Sequence, residues 1–228
     1  MSKESSRHAG TTGNTYIDVG ADTQEGFAIS SKSRALAREA IGNETPEDRV
    51  KQRCSIAVGD FAMADLMRFV NNPVPAVLEA LRQGAPIITD IRMVQIGIQK
   101  KGHTSKVLCA LDFGADIVKE KGITRSSAGF IALKDRLPGS IVVIGNAPSA
   151  LLSLCSMARD GIRPAAIIGA PVGFVNAAES KEVLRALDIP SISSEGTRGG
   201  TPVAVAAVNE CITMYIEASG HAGPGHRL

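Results

Sequence analysis

The sequence predicts an α/β fold with three layers: a doubly wound, mainly parallel sheet, helices on both of its faces, and a helical N-terminal region. Two observations support this. Strand-like and helix-like segments alternate through the second half of the chain, and the strands that begin near Ile141 and Ala165 are apolar throughout. A continuously apolar strand needs cover on both faces, as in a parallel sheet beneath helices.

The first half of the chain is mainly helical in pattern. A partial apolar stripe ends at Gly42-Asn43, and Thr45-Pro46-Glu47-Asp48 combines an N-cap residue, a proline at the first helical position and acids in the first turn. We predict two further helices over residues 60–70 and 75–83, the second ended by Gly84.

The second half supplies the predicted sheet. Strands are expected at 86–91, 106–111, 140–144, 165–168 and 191–193, and helices at 125–137, 149–159, 176–187 and 203–218. In such a fold, ligands bind beyond the carboxyl ends of the strands. We expect one domain over residues 14–218 and flexible tails at 1–13 and 219–228, because the first tail is rich in Ser, Thr and Gly and the second has no apolar face to bury.

Composition excludes several classes of protein. The net charge is only +2, and two Tyr without Trp give little material for stacking on bases, so we expect no nucleic-acid partner. No apolar run approaches the roughly 20 residues that span a bilayer, so no membrane partner is expected. The four cysteines lie far apart, which argues against a disulfide framework or a zinc site and favours a cytoplasmic protein.

Three predicted strand-to-helix junctions, at residues 144–149, 169–174 and 195–201, are rich in Gly and Pro. Such loops bring backbone N–H groups and helix N-termini to one sheet edge, where they can hold a phosphate or a carboxylate. The phosphate-binding motifs G-x-x-x-x-G-K-[ST] and G-x-G-x-x-G are both absent from the sequence. Their absence argues against the hypothesis of a nucleotide or phosphosugar enzyme.

The chain resembles the precorrin-8X methylmutases, also called cobalt-precorrin-8 methylmutases. The resemblance runs from about Gln24 to Ile216 and rests on Thr89-Asp90-Ile91-Arg92-Met93-Val94, Thr124-Arg125-Ser126, Ile144-Gly145-Asn146-Ala147-Pro148-Ser149-Ala150-Leu151, Pro171-Val172-Gly173-Phe174-Val175, Glu179-Ser180-Lys181 and Gly199-Gly200. It implies a homodimeric isomerase of cobalamin biosynthesis with no cofactor or metal of its own. Such an enzyme moves a methyl group from C11 to C12 of a tetrapyrrole, converting precorrin-8X or cobalt-precorrin-8 to hydrogenobyrinate or cobyrinate.

A corrin precursor carries acetate and propionate groups around an apolar ring, so its site needs cations and N–H donors around a wide apolar cleft. Arginine is suited to carboxylates through its bidentate fork. The substrate-binding residues that the resemblance and this chemistry indicate are Arg53, Asp90, Met93, Arg125, Asn146, Ser149, Gly173, Lys181, Arg198 and Gly200.

Two family positions depart from the pattern. Near the N-terminus, Gly26-Phe27 stands where the family usually has a Ser-Phe pair. The family's acid/base histidine lies in a segment R-x-x-H-x-x-G-D, and the corresponding residue here is Ile56. Three of the four histidines (His8, His221 and His226) lie in the predicted tails, which leaves His103, Asp90 and Asp60 as weak stand-ins, with His103 expected near the same sheet edge. The sequence therefore leaves two hypotheses open: an active methylmutase, or a catalytically altered paralogue that binds a corrinoid or another tetrapyrrole without turnover.

Overall fold

The computed structural model describes residues 23–220, and a six-stranded sheet lies at their centre. The strands are β1 (Met67–Val70), β2 (Ile87–Thr89), β3 (Val107–Cys109), β4 (Ile141–Ile144), β5 (Ala166–Gly169) and β6 (Ser191–Ser194). Their order across the sheet is β1-β6-β5-β4-β2-β3, and every neighbouring pair is parallel except β1 and β6. The predicted mainly parallel sheet is confirmed.

Helices occupy most of the remaining described chain. They are α1 (Gln24–Ile41), α2 (Pro46–Val58), α3 (Met63–Leu66), α4 (Pro73–Arg82), α5 (Arg92–Gly97), α6 (Ala115–Lys121), α7 (Arg125–Ala132), α8 (Pro148–Arg159), α9 (Ala177–Arg185) and α10 (Thr201–Ala218). Short 3₁₀ turns lie at Ala110–Asp112 and Lys134–Arg136. The cap predicted for α2 is present: Thr45 and Asp48 satisfy each other's backbone N–H groups in a capping box.

Two hydrophobic clusters lie on opposite faces of the sheet because successive strand residues point to opposite sides. Ile141 and Val143 of β4 pack with α2, α4 and α10, whereas Val142 and Ile144 pack with α7, α8 and α9. Every residue of β4 is buried, as the apolar pattern predicts. The sheet is therefore covered on both faces.

The predicted helix over residues 60–70 is wrong in its second half. Only Met63–Leu66 is helical, and Met67–Val70 forms the edge strand β1, antiparallel to β6. The backbone N–H of Glu195 donates to the carbonyl of Leu66 at 2.8 Å, which brings the segment into the sheet. The apolar spacing in this segment suits either a helix or a strand, so the partner strand decides between them.

Other boundaries also differ from the predictions. The predicted helix over 125–137 ends at Ala132 and is followed by the 3₁₀ turn, and the sequence indicated neither α5 nor α6. Helix α10 ends at Ala218, as expected, while residues 1–13 and 221–228 of the predicted tails lie outside the described residues. None of the helices within residues 23–220 combines the length and the apolar character needed to cross a membrane.

The strand order reverses direction between β2 and β4. From β2 the chain continues outward to β3, whereas from β4 it continues to β5 and β6 on the other side. A crevice opens at the carboxyl ends of the strands where such a reversal occurs, and ligands of open α/β sheets bind there. We therefore expect the ligand site at the loops after β2, β4, β5 and β6.

Candidate active site

The loops at the carboxyl edge of the sheet are packed closely together. A Cβ atom on Gly145, after β4, would lie 2.9 Å from Cα of Thr201 at the start of α10 and 2.9 Å from a methyl group of Val94 in α5. Only glycine allows three elements to approach at this point. The sequence-predicted loops thus form one continuous surface, which we call the carboxyl edge: residues 90–93, 145–149, 170–176 and 195–201.

Asp90 is the buried polar centre of the carboxyl edge. Its carboxylate accepts hydrogen bonds from the backbone N–H groups of Gly145 (3.2 Å), Asn146 (2.8 Å) and Ala147 (2.9 Å). Burial raises the pKa of the Asp90 carboxyl, and the three N–H donors oppose that rise. Because these N–H groups immediately precede α8, the carboxylate holds the loop in place and leaves the side chain of Asn146 exposed.

The first turns of α7 and α8 are joined at the same edge. The hydroxyl of Thr124 caps α7 by accepting from the N–H of Ser127 at 3.3 Å, and it lies 2.9 Å from the hydroxyl of Ser149 in α8. Ser126 donates to the backbone carbonyl of Asp90 at 3.1 Å. This arrangement places Arg125, whose side chain is exposed, beside Ser149 and the Asp90 loop.

Glycines allow the loops after β5 and β6 to bond directly to each other. The N–H of Gly200 donates to the carbonyl of Ala170 at 2.7 Å, and the N–H of Gly173 donates to Thr197 at 3.1 Å. Gly199 has a φ of +158°, and a Cβ there would lie 2.4 Å from the carbonyl oxygen of Ala170. A side chain at position 199 would therefore separate the two loops.

Lys181 on α9 is fully buried, although lysine is almost never found so. Its ammonium group donates to the hydroxyl of Ser194 at 3.1 Å and to the backbone carbonyl of Arg198 at 2.8 Å. Burial, with the nearby Arg185 guanidinium, lowers the pKa of Lys181 to about 8. The predicted binding residue thus lies beneath the loop after β6 and contacts its backbone.

The side chain of Arg198 points toward the end of α2. Its guanidinium forms an ion pair with Asp60, and that hydrogen bond, with a further one from the N–H of Ala62, holds the pKa of the Asp60 carboxyl below its usual range. Arg198 is half exposed. This ion pair joins the loop after β6 to the segment that carries the family histidine position.

Ile56 occupies that position in the last turn of α2. It is half-buried, four residues before Asp60, and the helix ends at Gly59 in the left-handed conformation. Arg53, three residues earlier on α2, is also half-buried. An apolar side chain therefore lies one turn before Asp60, at the position where the resemblance implies an imidazole.

Large apolar side chains are exposed along the carboxyl edge. Phe174 is 94% exposed, Val175 76% and Val172 47%, all in the loop after β5, while Met93 on α5 is 66% exposed. Burying such groups releases roughly 25 cal/mol per Å² of apolar surface. Large exposed apolar side chains on neighbouring loops are typical of a ligand or protein contact site.

The position expected for His103 is wrong. It lies in the segment that leads into the amino end of β3, and its neighbour Gly102 packs against Ile216 near the C-terminal end of α10, far from the carboxyl edge. Its Nε2 atom lies 2.6 Å from the carbonyl of Gln99, to which it donates. The segment returns to the opposite side of the sheet because β3 is parallel to β2. His8, His221 and His226 lie outside the described residues.

Some contacts at the carboxyl edge were not found from sequence. Arg92 forms an ion pair with Asp112, which follows β3, and nothing local in the sequence links these two residues. Thr124 could have been recognised, because a threonine before Arg125-Ser126-Ser127 is a typical helix N-cap. Within residues 23–220, no group of three or more His, Cys, Asp or Glu side chains could hold a metal ion.

Comparison with known proteins identifies the family of the chain. The family model for precorrin-8X methylmutase matches residues 28–214. A cobalt-precorrin-8 methylmutase of Methanocaldococcus jannaschii is 39% identical over 206 residues, which cover 85% of this chain and 96% of that protein.

Two solved structures have the same fold. The precorrin-8X methylmutase of Thermus thermophilus superposes with a TM-score of 0.78 at 34% identity, covering 84% of this chain and 97% of that chain. A structure described as a precorrin-8X methylmutase related protein gives a TM-score of 0.73 at 36% identity, covering 79% of this chain and 99% of that chain. Each match spans nearly the whole of the solved chain.

Proposed function

The chain belongs to the precorrin-8X methylmutase family, and from that premise we propose that it is the isomerase of cobalamin biosynthesis that moves a methyl group from C11 to C12 of a corrin precursor. The substrate is precorrin-8X or cobalt-precorrin-8, and the product is hydrogenobyrinate or cobyrinate. The main support for this proposal is the family match over residues 28–214, a range that includes every strand and every loop of the carboxyl edge. We propose a cytoplasmic enzyme, which the four unpaired, buried cysteines support because disulfides are rare in that compartment.

The carboxyl edge has the chemistry that this substrate requires. Exposed apolar groups such as Phe174 and Met93 suit the face of a tetrapyrrole ring, and the half-exposed Arg198 and exposed Arg125 suit its carboxylates. We propose that Met93, Arg125, Asn146, Ser149, Gly173, Arg198 and Gly200 line the bound substrate, with Arg53 at the border. Asp90 and Lys181, which face backbone, support these residues from beneath.

The reaction is intramolecular: the bond from the methyl carbon to C11 breaks and the bond to C12 forms within one molecule. Holding the ring in a reactive shape can supply much of the acceleration, because no second reactant must be brought in. An imidazole that donates to the ring would add typically about 10²- to 10⁴-fold. The side chain of Ile56 cannot donate a hydrogen bond. The rate acceleration in this chain therefore depends on how tightly the substrate is held and on the cationic Arg198.

We propose further that residues 14–218 act as one domain and that two copies form a homodimer. Both hydrophobic clusters share one sheet, which supports the single domain. The exposure of Val172, Phe174 and Val175 supports a second subunit that completes the cleft. A Val175→Glu variant that is monomeric by light scattering should bind substrate poorly, although Val175 is not among the residues proposed to line the substrate. Full binding by a proven monomer would rule out a shared cleft.

An anaerobic incubation tests the main proposal. Purified protein is mixed with precorrin-8X or with cobalt-precorrin-8, and the absorbance change of methyl migration is followed beside an Ile56→His variant. We expect turnover by the unmodified chain and a rate increase of roughly 10-fold or more in Ile56→His. Val58→His, in the same turn of α2 but on another side of it, is the matched control and should change little. Absence of binding to both compounds would overturn the proposal.

The second candidate function is a catalytically altered paralogue that binds a corrinoid or another tetrapyrrole without turnover. The observation that favours it is Ile56 at the family histidine position, in a chain that otherwise keeps the loops of the carboxyl edge. Tight binding without product, with turnover appearing only in Ile56→His, would select this candidate over the active enzyme.

A further inference from the structure

The ammonium group of Lys181 is buried at a cost in hydration free energy. An ammonium group at a fully buried position loses its hydration, which normally costs several kcal/mol unless a carboxylate compensates. Within the described chain, no carboxylate forms an ion pair with Lys181; its recorded partners are the neutral Ser194 hydroxyl and the Arg198 carbonyl. Arg185, one turn further along α9, adds repulsion.

The Arg198 carbonyl is the point at which this charge acts. It accepts from the Lys181 ammonium at 2.8 Å and also from the Ser194 hydroxyl at 2.7 Å. The side chain of the same residue reaches the other way, to Asp60. Two residues later, the N–H of Gly200 donates to the carbonyl of Ala170, and Gly200 is the N-cap residue of α10. Fixing this one carbonyl therefore fixes the backbone from which the Arg198 side chain extends to Asp60, together with the start of α10.

We propose that Lys181 is a positioning residue: it acts on the substrate through Arg198, by holding the backbone of the loop after β6 so that the guanidinium faces a substrate carboxylate. This inference rests on the proposed function, in which Arg198 binds such a carboxylate. It replaces direct contact between Lys181 and substrate with an indirect role, because the ammonium lies beneath the loop.

A double-mutant cycle tests the link. Lys181→Met keeps the length and apolar stem of the side chain and removes only the ammonium, and Arg198→Met removes the guanidinium. Affinity for cobyrinate, the proposed stable product, is measured by calorimetry for the unmodified chain, both single variants and the double variant. Residues that act through a common contact give non-additive effects in such a cycle.

We expect each single change to weaken cobyrinate binding about 10-fold and the double variant to be no weaker than Arg198→Met, because removing the guanidinium leaves Lys181 nothing to position. In both single variants the KM should rise while kcat changes less than about twofold, because substrate binding is affected and the methyl migration step is not. Arg185→Met is the matched control: Arg185 lies on the same helix and contacts Ser193 and Ser194 of β6, but not the loop, and its loss should leave affinity unchanged.

The outcomes distinguish failure of the proposed function from failure of the positioning role of Lys181 alone. No binding of cobyrinate, precorrin-8X or cobalt-precorrin-8 by the unmodified chain would overturn the proposed function itself. Binding that Lys181→Met leaves within twofold, or effects of the two changes that multiply, would overturn only the positioning role. If Lys181→Met does not fold, Ser194→Ala removes the second donor to the same carbonyl and should weaken binding about threefold; unchanged affinity there would overturn the proposal as well.

Discussion

Buried charges at the carboxyl edge are compensated differently from the buried charge on α10. Asp90 and Lys181 are bonded to backbone groups of loops. Glu210 on α10, also fully buried, is bonded to the guanidinium groups of Arg34 on α1 and Arg49 on α2. The first arrangement sets the shape of loops, and the second fastens helices of the N-terminal region to the body.

This difference has a consequence for function. A charge bonded to backbone N–H or carbonyl groups is specific for one loop conformation, since the backbone dipoles must converge on it. A charge bonded to flexible arginines tolerates small movements of the helices that carry them. Changes at Asp90 or Lys181 should therefore alter the ligand site, whereas changes at Glu210 should alter stability alone.

The largest effect is expected for Asp90→Asn. The amide keeps one acceptor oxygen and turns an N–H group toward three backbone donors, so we expect unfolding free energy to fall by about 4 kcal/mol and substrate binding to be lost. Urea unfolding and calorimetry measure both. Asp112→Asn, at the same edge but exposed and paired with Arg92, is the control and should cost about 0.5 kcal/mol. A loss below 1 kcal/mol for Asp90→Asn would mean that the carboxylate does not organise the loop.

Glu210→Leu should come next. The change removes the partner that two guanidinium groups share, but both groups are partly exposed and Arg49 keeps Glu217. We therefore expect the free energy of unfolding to fall by about 3 kcal/mol, which is at the low end for a broken buried ion pair. Affinity for cobyrinate in the folded variant should stay within twofold of the unmodified chain. Weakened binding at full occupancy of the folded state would contradict the separation of the two regions.

The pH dependence of stability should show the cost of burying Lys181. Because the pKa of Lys181 is about 8 when folded and about 10.5 when unfolded, the unfolded state binds more protons between these values. The unfolding free energy of the unmodified chain should therefore rise by about 2 kcal/mol relative to Lys181→Met from pH 7.5 to 10. The charged groups nearby are Arg185 on α9 and the Asp60–Arg198 pair above the loop, and arginine does not titrate in this range. Parallel stability curves for the two proteins would show that the ammonium is hydrated.

The smallest effect is expected for Arg68→Ala. Arg68 on β1 forms an ion pair with Glu195 at 2.6 Å, but both side chains are more than a third exposed. We expect a loss of about 0.5 kcal/mol that disappears in 1 M salt, where screening is strong. A loss that persists in full in high salt would mean that the ion pair contributes nothing measurable, and that the hydrogen bonds from Arg68 to the carbonyls of Asp65 and Met67 account for the effect.

Local sequence patterns predicted much of the fold. The apolar run of β4 required cover on both faces, and the Thr45–Asp48 pattern specified the start of α2; both are present. Such features depend on residues a few positions apart, so the chain encodes them locally. The strand β1 was missed because its four residues become a strand only through the backbone of β6, more than 120 residues later.

The candidate site shows the same division. The Gly- and Pro-rich junctions identified the loops, and their motifs identified the family, from sequence alone. Which charged side chains face solvent was not predictable: Arg125 is exposed, whereas Lys181, expected to bind substrate directly, is buried beneath a loop. His103, ten residues after Met93, lies at the other end of the sheet because the chain reverses there to start a parallel strand.

The sequence by itself therefore determined the fold class, the family and the loops that form the site, because these follow from apolar periodicity, turn residues and motifs read along the chain. Only the tertiary structure decided the partners of Asp90, Lys181 and Arg198. The hydrogen bonds of their charged side chains join residues 13 to 138 positions apart, and a residue's type states what it can bond but not which distant group will reach it.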